Sequence, residues 1–296
     1  MTPNAVGIAL ALIAAACFAT VAAMVKLASA EYHILQILFV RQVCVFLSTV
    51  PTVARHFPSS LYTRQPGLHV LRLLGAFTGL VCSIWALSLL PLSTAITLGF
   101  AQVFFVALLA RSVLGEPVGP HRLGAVAVGF IGVIVVMRPG VGGLLEVGAL
   151  VALAGALGAS LAVICVRRLS QTESSTTLLA WQSIAIGMLA ALPMPWLWTT
   201  PDPADALLLL GIGVLSTVGQ WVGVSALRHG EASVIGNVEY TKLLYAAVLG
   251  YALFGELPDR WTLTGAAIII GAAVYLYHRE SRQRTGQLRK KPPPTL

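Results

Sequence analysis

Uninterrupted apolar runs, each long enough to cross a bilayer, recur along almost the whole chain and narrow the possible folds more than any other feature. Ten are read, at 4–28, 33–54, 67–90, 92–113, 121–138, 146–167, 175–198, 204–227, 232–254 and 261–278. At about 1.5 Å of helical rise per residue, each matches a hydrocarbon core of roughly 30 Å, whereas a barrel strand needs only about ten residues. Backbone amides in lipid must be satisfied within their own segment, so the expected fold class is all-α integral membrane. Between 86 and 95 two runs adjoin, and Pro91 together with the excess length places a tight turn there. The first run begins almost at Met1 and is too long for a signal-peptide core, so it reads as a retained helix.

Charge agrees with this class. Of 296 residues 57% are hydrophobic and only 10% charged, against about a quarter charged in soluble domains. The net charge of +8 sits in short connections and a tail rather than along a soluble aromatic face, which argues against a nucleic-acid partner. With the N-terminus inside, fourteen of the 19 Lys and Arg face the cytoplasm, six of them in the tail, and only Arg138 and Arg260 lie in outer loops. Lys26, Arg41 and Lys242 fall within runs. The positive-inside rule therefore predicts two cytoplasmic termini and a multi-pass protein of the bacterial inner membrane. The four cysteines, each within an apolar run and without metal or redox spacing, read as buried structural thiols; no metal or cofactor is expected.

A shift of 140 residues lays one half of the chain on the other. Ala86-Leu87 falls on Ala226-Leu227, Ser93 on Ser233, and Leu114-Gly115-Glu116-Pro117 on Phe254-Gly255-Glu256-Leu257. At 141 residues, Gly7 falls on Gly148, Ala15 on Ala156 and Lys26 on Arg167. Five runs per half is an odd number, so the second half must enter from the opposite side. Two inverted five-helix repeats, 1–140 and 141–279, are expected, followed by a disordered basic, proline-rich cytoplasmic tail at 280–296. Inverted repeats suit transport, although duplication can also serve stability alone.

Several motifs give the chain a resemblance to the drug/metabolite transporter superfamily and its EamA-type carriers. They are His69-Val70-Leu71-Arg72, Pro91-Leu92-Ser93-Thr94-Ala95, Leu114-Gly115-Glu116-Pro117, Gly129-Phe130-Ile131-Gly132-Val133, Met137-Arg138-Pro139-Gly140, Gly230-Glu231-Ala232-Ser233 and Phe254-Gly255-Glu256-Leu257-Pro258-Asp259. The resemblance implies ten helices in two inverted repeats around a central cavity, and the export of amino acids and related metabolites. Spacing around His69–Arg72 and Tyr240–Leu244 leans toward the S-adenosylmethionine and riboflavin uptake branch.

Charges inside a span cost about 2.5–3.5 kcal/mol even on the gentler insertion scale, so each is a candidate site residue. Glu239 and Lys242 stand i and i+3 in the ninth run, able to face the same side, with Asn237, Tyr240 and Tyr245 adding polarity nearby. They read as a substrate site, or as a self-neutralising pair that only packs. Gln102 is the repeat mate of Lys242. Arg41, about 12 Å into the second run, reads either as a ligand for carboxylate or phosphate or as a clamp on helix-end carbonyls or Glu31. Lys26 reads as a site residue or as a side chain snorkelling to the interface, and Arg72 as an interfacial anchor. Gln220, Trp221 and Trp85 could line a cavity or glue and pack helices; Gln182 could do the latter.

Three embedded cations against one embedded acid point to a small polar substrate, zwitterionic or anionic, carried by alternating access. The alternative is a polytopic enzyme acting on a lipid-linked substrate. Against it stand the absence of HExxH, of GxSxG and of paired aspartates within a helix, and six histidines scattered over both faces. Expected partners are a small-molecule substrate and the bilayer; a monomer is expected, with a homodimer as the alternative.

Overall fold

A computed structural model describes residues 3–55, 63, 65–114, 120–138, 144–229, 235 and 238–290. Among these, all regular structure is helical: α1 (Pro3–Ala28), α2 (Ile34–Arg55), α3 (Pro66–Leu89), α4 (Leu92–Gly99), α5 (Gln102–Leu114), α6 (Pro120–Met137), α7 (Leu144–Leu169), α8 (Ser175–Ala191), α9 (Met194–Leu197), α10 (Pro203–His229), α11 (Lys242–Phe254) and α12 (Arg260–Lys290). A 3₁₀ turn, Glu239–Thr241, leads into α11.

Among the described residues, six stretches are long and apolar enough to cross a membrane: Ala5–Ala28, Ile34–Arg55, Pro66–Leu89, Leu92–Ala110, Leu145–Leu169 and Pro203–Ala226. Leu123–Met137, Thr177–Ala191 and Arg260–Leu276 are shorter apolar helices. The turn expected at Pro91 is present. α3 stops at Leu89, Leu90 is extended, and Pro91 at φ −54° opens α4. The run expected at 175–198 is divided, because the prolines at 193 and 195 allow α8 only to Ala191 and leave the four-residue α9. In the opposite sense, the last helix continues past the expected end at 278 to Lys290, through Arg- and Gln-rich sequence with no proline before position 292.

Small residues hold the long helices together. α3 meets α7 at Gly75, where a Cβ would stand 2.7 Å from the Gly158 carbonyl oxygen, so only glycine permits the approach. Element contacts follow the repeat register: α3 packs on α7 as α10 packs on α1, while α2 with α8 and α6 with α12 are each a pair of repeat mates. Single bonds obey it too. The Tyr32 hydroxyl donates to Asp205 Oδ2 at 2.6 Å, and the positions 140 residues away, Thr172 and Gln65, are bonded to each other at 3.5 Å.

The bundle end carrying the α1–α2 turn is called the far end below, and the end where α1 begins the near end. At the far end the Asp205 carboxylate holds the Tyr32 proton, pushing that phenol up to about 12. Gln36 brackets Thr199 there, its Nε2 donating to the Thr199 carbonyl at 2.6 Å while its Oε1 accepts from the Thr199 amide at 3.0 Å.

Candidate functional site

The helix running from 92 to 114 is interrupted at mid-length. The Phe100 and Ala101 amides donate to the carbonyls three residues back, of Thr97 and Leu98, and Gln102 opens α5 beyond the tightened turn. Residues 239–241, which are 99–101 displaced by 140, form the 3₁₀ turn before α11, and Lys242 opens that helix as Gln102 opens α5. The irregularity is thus repeated at equivalent positions. Phe100 and Tyr240, also repeat mates, meet with ring centroids 5.0 Å apart and planes at 52°. This stack therefore joins equivalent positions of the two halves.

Charges gather beside it. Lys242 Nζ is 3.5 Å from Glu239 Oε2 and 5.2 Å from the centre of the Phe18 ring on α1. The Glu239 side chain is 56% exposed, Lys242 much less. Glu239 stands in the 3₁₀ turn rather than within a continuous helix, as its place in the ninth run had implied; the i,i+3 neighbourhood survives because the turn tightens without reversing the chain. Tyr245, partly buried, is three residues beyond Lys242. Asn237 lies outside the described residues. Gln220, partly buried, follows Gly219, whose face packs on Cys17 and Phe18, so α10 reaches the same level.

Arg41 is on α2, near where Cys44 packs against Gly213 of α10. The clamp on Glu31 is not formed: Glu31 is exposed, and the buried Arg41 Nε has no hydrogen-bond partner among the described residues. Trp85 and Trp221 are both exposed. They are not brought to the Lys242 group.

Lys26 belongs to a different cluster at the far end. Its Nζ donates to Glu256 Oε1 at 2.5 Å and to the Leu90 carbonyl at 2.7 Å, and stands 5.0 Å from the Phe254 ring centre. Glu256 Oε2 accepts from the Leu92 amide at 2.9 Å. Snorkelling does not describe this lysine, because its ammonium is engaged between the two halves. Gly255 makes the geometry possible. At φ 66° it ends α11 with its own amide on the Tyr251 carbonyl and the next amide on Gly250, a left-handed glycine cap that turns Glu256 back toward α1.

Arg72 is likewise no interfacial anchor. It is 2% exposed, donating from Nη1 to the Leu178 carbonyl at 3.0 Å and from Nη2 to Gln182 Oε1 at 2.7 Å. One turn earlier His69 Nε2 faces Glu173 Oε2, and the Thr63 hydroxyl donates to Glu173 Oε1 at 2.5 Å. Phe18, Phe100, Glu173 and Glu256 were not among the candidates from sequence. Phe100 was recoverable from the register as the mate of Tyr240; for Phe18 and Glu173 no sequence signal exists. Among the described residues no group of three His, Cys, Asp or Glu could hold a metal.

Comparison with known proteins places this arrangement. The profile of the EamA-like transporter family matches twice, over residues 5–138 and 146–277. The chain is 26% identical over 264 residues to the S-adenosylmethionine uptake transporter of Rickettsia prowazekii (strain Madrid E), covering 89% of this chain and 90% of that one. Over 252 residues it is 29% identical to the riboflavin transporter of Brucella anthropi, with 83% and 88% covered. The pseudopaline exporter CntI of Pseudomonas aeruginosa (strain UCBPP-PA14) is 30% identical over 274 residues, with 91% and 95% covered. A crystal structure at 15% identity superposes with a TM-score of 0.64 over 95% of this chain and 99% of the other, a likeness of fold.

Proposed function

Since this chain belongs to the EamA-like transporter family, we propose that it moves a small zwitterionic or anionic metabolite by alternating access, through ten spans in two inverted repeats. It is a transporter and not an enzyme. Ten spans follow if α4 with α5 makes one, α9 makes none, and α11 counts as one. With the charge distribution along the chain, both termini are cytoplasmic and the far end faces outward.

The observation that carries the reading is the repeated helix interruption, with Lys242 and Glu239 beside the Phe100–Tyr240 stack. Interrupted helices near the membrane midplane, at a repeat interface, are where carriers place substrate groups, because unpaired backbone is tolerated only where it lines a cavity. A carboxylate more than half exposed at that depth needs water beside it rather than lipid. Lys242 then takes an anionic group of the substrate, Glu239 an ammonium or a proton, and Arg41, whose buried Nε has no partner among the described residues, a second anionic group. Substrates named for the relatives, S-adenosylmethionine and riboflavin among them, supply the starting panel.

Purified protein is screened by thermal shift against amino acids, flavins and adenosyl compounds, and a stabilising compound is then followed as radiolabel flux into proteoliposomes. A charged hydrogen bond contributes about 1.5–3 kcal/mol, so Lys242→Ala and Glu239→Gln each weaken binding by about tenfold or more. Flux that is undiminished in both variants overturns the site.

A further inference from the structure

At the far end, next to Leu90, whose carbonyl holds Lys26, the two halves enclose a cavity of about 130 Å³ that plays no part in the substrate site. Apolar side chains of α6, α7 and the α3–α4 turn wall it, while Arg138, Asp259, Thr94 and Thr262 supply its polar groups. Arg138 follows α6 at φ 49°, a left-handed conformation that suits glycine and is costly for a residue with a side chain. Its guanidinium is held from two sides. Nη2 pairs with Asp259 Oδ2, and Cζ stands 5.8 Å from the centre of the Trp261 ring. The buried Nε has no hydrogen-bond partner among the described residues. Asp259 Oδ1 accepts from the Thr262 amide at 2.8 Å, which caps α12. The Thr94 and Thr262 hydroxyls meet at 3.1 Å, a contact that uses one of their two protons.

We propose that this cavity is a second ligand site, for a short-chain α-amino acid in its zwitterionic form. Volume sets the size. A space of 130 Å³ equals roughly four waters at liquid density, room for about six or seven non-hydrogen atoms and far too little for riboflavin or S-adenosylmethionine. Charge sets the class. The Arg138 and Asp259 side chains are 28% and 42% exposed, so water reaches both and their mutual attraction is weak enough for a ligand to replace. A carboxylate drawn to Arg138 alone would leave Asp259 unpaired beside a second negative charge. An ammonium on the same ligand removes that conflict by donating to Asp259 Oδ2. The ligand carboxylate then accepts from the guanidinium and from the remaining hydroxyl proton of the Thr94–Thr262 pair. This also accounts for the strained backbone at Arg138, since a glycine there would supply no guanidinium. The site does not rest on the transport reading.

Leu145 lines the cavity and is 42% exposed, which makes it a local reporter. Leu145→Cys is placed in a background lacking the native cysteines, and the purified protein is labelled with a thiol reagent in the presence of L-alanine, propionate or ethylamine. L-alanine should slow the labelling. Propionate lacks the ammonium and ethylamine the carboxylate, so each should need a concentration at least about tenfold higher. Arg138→Gln and Asp259→Asn, whose amide oxygen can still cap α12, should each weaken protection by L-alanine about tenfold, and Lys242→Ala should leave it unchanged. An unchanged melting temperature and unchanged labelling without ligand establish that the variants fold. Should a charge variant fail that criterion, Thr94→Val, which removes one hydroxyl at constant shape, carries the test with a smaller loss of protection. Protection absent from the parent, or undiminished in the folded variants, overturns the site. Propionate as potent as L-alanine overturns the zwitterion. Protection lost in Lys242→Ala but kept in Arg138→Gln assigns the effect to the substrate site and overturns the proposal as well. Failure of the transport reading is recorded separately, as absent flux with this protection intact.

Discussion

At Arg41 a residue proposed to serve a ligand can be told from one kept for the fold. A structural clamp would hold a carbonyl or an acid, and losing it would leave that partner buried and unpaired, at a cost of several kcal/mol. The buried Nε of Arg41 has no such partner among the described residues. Replacing the guanidinium by a neutral amide therefore removes desolvation cost from the protein and strands nothing. Arg41→Gln should leave the melting temperature of the unliganded protein unchanged or slightly raised, while weakening the bound compound's thermal shift by about tenfold in affinity. A marked fall in unliganded stability would return Arg41 to a structural role. Arg72 predicts the opposite behaviour, because removing it leaves the Leu178 carbonyl and Gln182 without their donor.

The helices show which parts of the design local sequence can express. α1, α2, α3, α6, α7 and α10 follow their apolar runs closely, because a span in lipid is decided by length and hydropathy, both local properties. Pro91 marks its break legibly, since proline removes a donor wherever it stands, whereas the run at 175–198 reads straight through Pro193. The break at Phe100–Ala101 has no proline. It becomes visible only when its repeat mate at 239–241 is seen to tighten in the same place, a tertiary rather than a local preference. Lys242, Glu239 and Gln102 were legible because charge and amide are conspicuous in an apolar run; Phe18 and Phe100 were not, being two among ten phenylalanines. Contacts between helices are coded by absence. At Gly75 a side chain would meet the α7 backbone at 2.7 Å, an atom that cannot move aside. Gly75→Val should push α3 from α7 and lower stability by about 1–3 kcal/mol, read as a lower melting temperature in detergent. Gly67, whose Cβ would meet nothing within 4 Å, should accept alanine without such a loss.

Over the whole molecule the two halves are tied at both ends, and the proposed alternating access would require that the ties release in turn. The far-end tie is a directed cluster and not merely two opposite charges. Lys26 donates both to Glu256 and to the Leu90 carbonyl, while Glu256 also accepts from the Leu92 amide, so α1, the α3–α4 turn and the end of α11 are joined through two side chains. Lys26→Gln loses the charge and one donor, and the far end should then spend more time open. The reporter is Thr94→Cys in a background lacking the native cysteines, because Thr94 meets Thr262 at 3.1 Å within the same far-end region. Its labelling by a membrane-impermeant thiol reagent in whole cells should quicken about tenfold in Lys26→Gln and much less in Lys26→Arg, which keeps the donors. The double exchange Lys26→Glu with Glu256→Lys decides between the two descriptions. If opposite charge alone closes the far end, the exchange restores slow labelling. A directed cluster gives the other result. The exchanged carboxylate would face the Leu90 carbonyl, the exchanged ammonium would face the Leu92 amide, and two donors and two acceptors would each meet their own kind. Labelling in the double variant should therefore stay as fast as in the single one, and its return to the wild-type rate would reduce the cluster to a charge pair.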